Sequence, residues 1–161
     1  IRAAAAVPAD KTFRIAVVGH PKFAKYEKLA KSLGVADRFA FRGFKADPKD
    51  CYFAADFLVH PTFYDPCSLV VLEALACGLP VVTTQYNGAS ELLTVPHNGL
   101  VVNDPHDAAE LGGAIAAMLD PGYRRTASAA ARQAATKWTF EDHYRALLDV
   151  FGEVRAAKRA A

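Results

Sequence analysis

Short apolar runs alternate along the chain with longer stretches in which apolar residues recur every three or four positions. Ile15-Ala16-Val17-Val18 ends at Gly19 and reads as a buried strand. The span from Lys22 to Leu33 then sets Phe23, Tyr26, Leu29, Ala30 and Leu33 on one face of a helix that Gly34 stops. Arg38 to Phe41 alternates polar and apolar up to Gly43, which predicts a second strand, and Pro48 to Ala55 a short helix. Asp56 to Pro61 is a third strand, and Tyr64-Asp65-Pro66 makes a turn ahead of a helix covering about Ser68 to Ala76.

The same period continues. Gly78-Leu79-Pro80 closes that helix and launches Val81-Val82-Thr83-Thr84, a β-branched run suited to a parallel strand covered on both faces. A loop at Tyr86-Asn87-Gly88, a short helix from Ser90 to Leu93 and the strand Gly99 to Val102 come next. Asp104-Pro105-His106-Asp107 begins a helix through Met118, with Ala109, Leu111, Ile115, Ala116 and Leu119 facing inward. Residues 121–136 and 139–151 add two helices that part at Trp138-Thr139, where Thr139 is a candidate N-cap with Asp142 behind it. Strands alternating with helices imply right-handed βαβ units, hence an α/β, Rossmann-like open parallel sheet with helices on both faces and ligands at the carboxyl ends of the strands. Residues 14–151 form this unit. Residues 1–13 read as a residual linker or truncated start, and residues 152–161, with Arg155, Lys158 and Arg159, as a frayed tail.

A length of 161 residues fits one domain, and 52% apolar against 22% charged residues excludes a disordered chain. A net charge of +2 excludes a general nucleic-acid binder, so any anionic ligand must be held locally. Cys51, Cys67 and Cys77 form no CxxC and have no His at ligand spacing, which argues against zinc, against a disulfide framework and for a reducing, cytoplasmic setting. No apolar run is long enough to span a membrane, and the opening at Ile1 is too short for a secretory signal and reads as the start of an excised fragment.

The stretch from His60 to Val82 carries the candidate chemistry. It puts one carboxylate, Asp65, in the loop and another, Glu73, about two turns into the following helix. Backbone N–H groups of residues 66–70, at the start of that helix, are placed to receive a diphosphate, and either carboxylate can accept sugar hydroxyls. The competing reading makes Asp65 a helix cap and Glu73 a solvated residue. Against it, Glu73 sits among Val70, Val71, Leu72, Ala74, Leu75 and Ala76, where a carboxylate is costly unless paired or opened to a cleft. His60 either touches ligand or orients the Tyr64-Asp65 loop, Cys67 lacks a His placed to activate it, and Trp138 either anchors the last two helices or stacks a base.

Asp65, seven residues, Glu73, then Ala74, Ala76, Gly78, Pro80 and Val81 form a run that continues with Asn87 to Leu93, Asn98 to Val102 and Asp104. It resembles the signature region of the retaining group 1 nucleotide-sugar glycosyltransferases of two-domain GT-B architecture, across residues 14–151. Lys22 to Gly34 and the loop before the signature helix resemble the bacterial lipopolysaccharide core glucosyltransferases. The resemblance implies the C-terminal, donor-binding half of a GT-B enzyme. That enzyme would move a hexose from a nucleoside diphosphate sugar, expected to be a UDP-sugar, to a carbohydrate or lipid-linked acceptor with retention, in lipopolysaccharide or other polysaccharide synthesis, without a metal or cofactor.

It assigns Asp65 to the hexose hydroxyls and Glu73 to the ribose hydroxyls as the two residues of the reacting site. The loop of Tyr64 and Pro66 and the backbone of Cys67, Ser68, Leu69 and Val70 would meet diphosphate and sugar, and Gly19, Arg42, Gly43 and Phe44 the base, while His20 either faces the phosphates or is a loop histidine without a ligand role. Two departures stand out. The family usually has Glu where Asp65 stands, and its phosphate-binding Arg and Lys follow an earlier strand of the same domain. The resemblance also implies an N-terminal acceptor domain, against which residues 139–151 would pack, peripheral attachment to the inner membrane face, and an inactive fragment without that domain. The alternatives are another GT-B-like sugar-nucleotide enzyme, such as an epimerase or a sucrose-synthase-like reaction, and a noncatalytic nucleotide-sugar-binding module. A nucleotide-redox domain is disfavoured, because Gly19-His20-Pro21 lacks the G-x-G-x-x-G turn.

Overall fold

A computed structural model describes residues 1–19, 22–137 and 139–160, so the roles expected of His20 and Trp138 lie outside the described residues. Among the described residues five strands appear in chain order as β1 (Ile15–Val18), β2 (Phe39–Gly43), β3 (Leu58–His60), β4 (Val81–Thr84) and β5 (Gly99–Val102). The helices are α1 (Arg2–Ala6), α2 (Ala24–Ser32), α3 (Lys49–Phe53), α4 (Leu69–Ala76), α5 (Ala108–Met118), α6 (Pro121–Ala135) and α7 (Phe140–Ala160). Every ladder is parallel. β4 lies between β3 and β5, with Leu58, Val81 and Gly99 in one row and His60, Thr83 and Val101 two residues further along.

Alternation along β4 shows why the helices flank both faces. Val82, with Val59, Leu100 and Val102, packs on Leu111, Ile115 and Met118 of α5 and on Ala3 and Val7. Val81, with Leu58, packs the other way, on Val71, Ala74 and Leu75 of α4 and Ala131 of α6. All four β4 residues are buried. Helix α4 stops where the sequence says it should: Gly78 takes φ 77°, and the Gly78 and Leu79 N–H groups close back onto the carbonyls of Leu75 and Ala74 at 2.9 and 2.8 Å.

The structure departs from expectation in three places. The single sheet is split: among the described residues β1 pairs with β2 alone, and an apolar cleft of about 290 Å³ separates them from β3, lined by Ile15, Val17, Phe41, Val59 and Pro61 among others. Periodicity marks a strand without naming its neighbour. Residues 1–13 are not leftover linker throughout, since Ala3, Ala4 and Val7 are buried and α1 lies on α5 so closely that a Cβ on Gly112 would come within 3.0 Å of the Ala3 carbonyl oxygen. An all-alanine run has no apolar–polar contrast to betray a helix. The tail beyond residue 151 is also helical, because α7 runs on to Ala160; Thr139 caps it, accepting the Asp142 N–H at 3.1 Å.

Candidate functional site

At the carboxyl ends of β3 and β4 two loops are laced together. Asp65 N–H donates to the Tyr86 carbonyl at 3.1 Å, and Gly88 N–H donates to the Asp65 carbonyl at 2.9 Å. Thr83 and Thr84 on β4 donate their hydroxyls to the carbonyls of His60 and Thr62, at 2.9 and 2.6 Å. Asn87 is wholly buried between the loops: its amide donates to Thr83 Oγ1 at 2.9 Å, and its Oδ1 accepts the N–H groups of Ser68 and Ala89 at 3.3 and 3.1 Å. Gly88 is pressed against Pro66 so tightly that a Cβ would lie 1.9 Å from its carbonyl oxygen. Sequence reasoning treats Asn87-Gly88 as an ordinary loop. The signal was available, because an Asn-Gly pair between parallel strands cannot be a hairpin turn and needs another use.

This clamp holds Asp65 at the corner, half-buried. Its Oδ1 accepts the Cys67 N–H at 3.1 Å and its Oδ2 accepts the Ser68 hydroxyl. His60 Nε2 lies 3.0 Å from Ser68 Oγ and 3.9 Å from Asp65 Oδ2. Asp65 therefore forms a local turn with Cys67 rather than the N-cap of α4, which is Ser68. The trio is not a nucleophilic triad, in which the acid orients the histidine and the histidine takes the serine proton. Here the serine proton points at the carboxylate. A carboxylate offers about four acceptor positions, so two remain for a ligand.

The start of α4 offers fewer free N–H groups than its sequence suggests. Pro66 has none, and those of Cys67 and Ser68 are committed to Asp65 and Asn87. Among the described residues, the N–H groups of Leu69 and Val70 are the ones left to face an anion. Glu73 is exposed, on the side of α4 opposite Val71, Ala74 and Leu75, so it bears no burial penalty. It accepts a 2.6 Å hydrogen bond from Tyr52 on α3. Burial, then donation to Glu73 and its negative charge, push the Tyr52 hydroxyl well above its ordinary value, so at neutral pH it is a fixed proton donor.

The other candidates fall into a second group at the ends of β1 and β2. Gly19 N–H donates to the Gly43 carbonyl at 3.0 Å, with Arg42 and Phe44 exposed beside it. Tyr64 and Leu69 are exposed at the first corner, as is Phe63, whose ring packs on His106 with centroids 4.7 Å apart. A concavity of about 410 Å³, lined by Tyr52, Cys77, Gly78 and Arg124, lies at the far end of α4 from Asp65. Among the described residues no group of His, Cys, Asp or Glu is arranged to hold a metal, and no helix is long and apolar enough to cross a membrane.

A parallel α/β unit with a laced carboxyl-end corner is the domain type of the GT-B glycosyltransferases, and comparison bears this out. The model of the family "Glycosyl transferases group 1" matches residues 1–138, and the chain belongs to that family. D-inositol 3-phosphate glycosyltransferase of Acidothermus cellulolyticus is 32% identical over 158 residues, covering 93% of this chain and 35% of that protein. The crystal structure of WaaG, a glycosyltransferase involved in lipopolysaccharide biosynthesis, superposes with a TM-score of 0.76 and 32% identity over 84% of this chain and 38% of its own. Anabaena HepE in complex with UDP-glucose superposes at 0.72 with 27% identity, again over 84% of this chain and 38% of its own. The chain thus spans about a third of the length of the proteins it matches.

Proposed function

We propose that this chain is the donor-binding domain of a retaining hexosyltransferase that uses a nucleoside diphosphate sugar, with UDP-glucose as the first candidate, and passes the hexose to a carbohydrate or lipid-linked acceptor. The observation that carries the reading is the Asp65 corner. A carboxylate is held from behind by protein donors, with acceptor positions to spare, beside the free N–H groups of Leu69 and Val70 at a helix start. Such a site suits a sugar joined to a diphosphate: hydroxyls go to the carboxylate, and phosphate oxygens to N–H groups at the positive end of the helix dipole.

In this reading Glu73 takes the ribose hydroxyls, with Tyr52 holding one of its oxygens, and the Gly19 and Gly43 edge with Arg42 and Phe44 frames the base. As the glycosidic bond breaks, charge gathers on the diphosphate, where helix-start N–H groups act most strongly. The HepE complex with UDP-glucose supports the choice of nucleotide and sugar, and WaaG supports a role in lipopolysaccharide or related polysaccharide synthesis. An acceptor domain elsewhere in the full-length chain, a cytoplasmic location and peripheral contact with the inner membrane face belong to the same proposal.

The test is calorimetric titration of the full-length protein with UDP-, GDP- and ADP-sugars, repeated with Glu73→Ala. Selective binding of one nucleotide class, lost in the folded variant, is the expected result. Binding unaffected by the substitution, or no binding of any sugar nucleotide, overturns the assignment.

A further inference from the structure

We propose that His60 is a positioning residue for the donor sugar, acting through the Ser68 hydroxyl to fix the carboxylate of Asp65. The inference rests on the reading of Asp65 as the sugar-binding carboxylate and adds the two side chains that set its orientation.

The proton count dictates a direction. A serine hydroxyl has one proton, and here it faces Asp65 Oδ2, which as a carboxylate can only accept. Toward His60, Ser68 Oγ can therefore act only as acceptor, so the ring nitrogen 3.0 Å away must carry hydrogen. The ring hydrogen that faces Ser68 is therefore on Nε2, and the chain runs from His60 Nε2–H through Ser68 Oγ–H to Asp65.

Both ends of the relay are fixed. His60 belongs to β3, paired with Thr83 of buried β4, and its carbonyl accepts the Thr83 hydroxyl at 2.9 Å. Ser68 is only 3% exposed, and its N–H is held by Asn87, so the hydroxyl that joins His60 to Asp65 is itself shielded from water. With Cys67 N–H on Oδ1, the carboxylate is pinned at both oxygens. Orientation matters more for Asp than for Glu, because the shorter side chain has one torsion fewer with which to search for a hydroxyl.

The experiment measures the affinities of the full-length protein for UDP-glucose and for UDP, and compares their ratio among variants. Ser68→Ala and His60→Ala are each expected to lower the UDP-glucose to UDP affinity ratio by roughly tenfold while changing UDP affinity by less than about twofold. The double variant should be no worse than either single one, since both cut the same relay. His60→Gln, whose amide N–H can stand where Nε2–H stood, should restore most of the ratio.

Equal loss of UDP and UDP-glucose binding in the alanine variants would mean that the pair merely supports the loop, and would overturn the inference. Multiplying effects in the double variant, or no rescue by Gln, would do the same. Asp65→Ala separates the two levels. If it lowers the ratio and the Ser68 and His60 variants do not, the relay alone is wrong; if it leaves the ratio unchanged, or the parent binds neither compound, the sugar-site reading falls and the relay with it.

Discussion

The two pieces of sheet are built to different standards. In the β3–β4–β5 piece every residue of the central strand is buried, and the loops beyond it are tied together through Asn87, Thr83 and Thr84. In the β1–β2 piece, β1 alternates between half-buried and exposed residues, and packing rests on an aromatic group in which Phe23 and Phe41 lie 5.2 Å apart and Phe39 and Phe41 5.9 Å. The first piece carries the carboxylate whose direction matters; the second offers glycine backbone and an exposed Phe44. A charged group can be aimed only as well as its supporting shell is fixed, and aiming demands buried polar partners that a stacking surface does not need.

The sharpest way to break this contrast is Gly88→Ala. The new methyl would overlap the Pro66 carbonyl, so the two loops must separate, at an expected cost of about 3 kcal/mol in chemical denaturation. A cost below about 1 kcal/mol would mean that the loops are not pressed together in solution. Next in size is a matched pair on the two pieces. Val82→Ala, within the core beneath α5, should cost about 2 kcal/mol, and Val18→Ala, 37% exposed on β1, about 0.5 kcal/mol or less. Equal costs would erase the distinction between the pieces. Gly113→Ala should go the other way: a Cβ there meets nothing within 4 Å, so the exposed middle of α5 gains helix propensity worth up to about 1 kcal/mol. A raised melting temperature checks it.

How much was readable in the sequence follows the same division. The β3–α4–β4 unit is plain, because the period changes cleanly from strand to helix and Gly78 stops the helix where its φ requires glycine. Asp65 and Glu73 stand out by their spacing. The tension over Glu73 was resolvable from the sequence as well: Val71, Ala74 and Leu75 are the i, i+3, i+4 set that faces inward, and a residue two beyond Val71 falls on the opposite side. Adjacency along the chain is not adjacency in space.

Helix α1 was not readable, since a run of alanines carries no pattern, nor was the gap between β1 and β3, since lateral order is a tertiary choice. The relay of His60, Ser68 and Asp65 was readable only as three candidate residues. Their union depends on His60 and the start of α4 meeting on the face of β3 that also carries Leu58.

The finest test concerns Tyr52, which joins α3 to the signature helix through Glu73. Its hydroxyl ionises in the folded protein well above the ordinary value of 10.0, chiefly because of burial and then because it donates to Glu73. The native state therefore keeps a proton that the unfolded chain gives up, so between those two values folding binds protons and stability falls as pH rises. The contribution is complete below about pH 10 and is lost progressively above it. Tyr52→Phe removes this group but leaves Tyr123, which burial also raises, common to both proteins. Across roughly pH 9 to 11 the melting temperature of the parent should fall more steeply than that of the variant. Parallel curves would show that the Tyr52–Glu73 bond does not persist in solution, and would leave Glu73 without a fixed partner on the face of α4 where a ribose is proposed to sit.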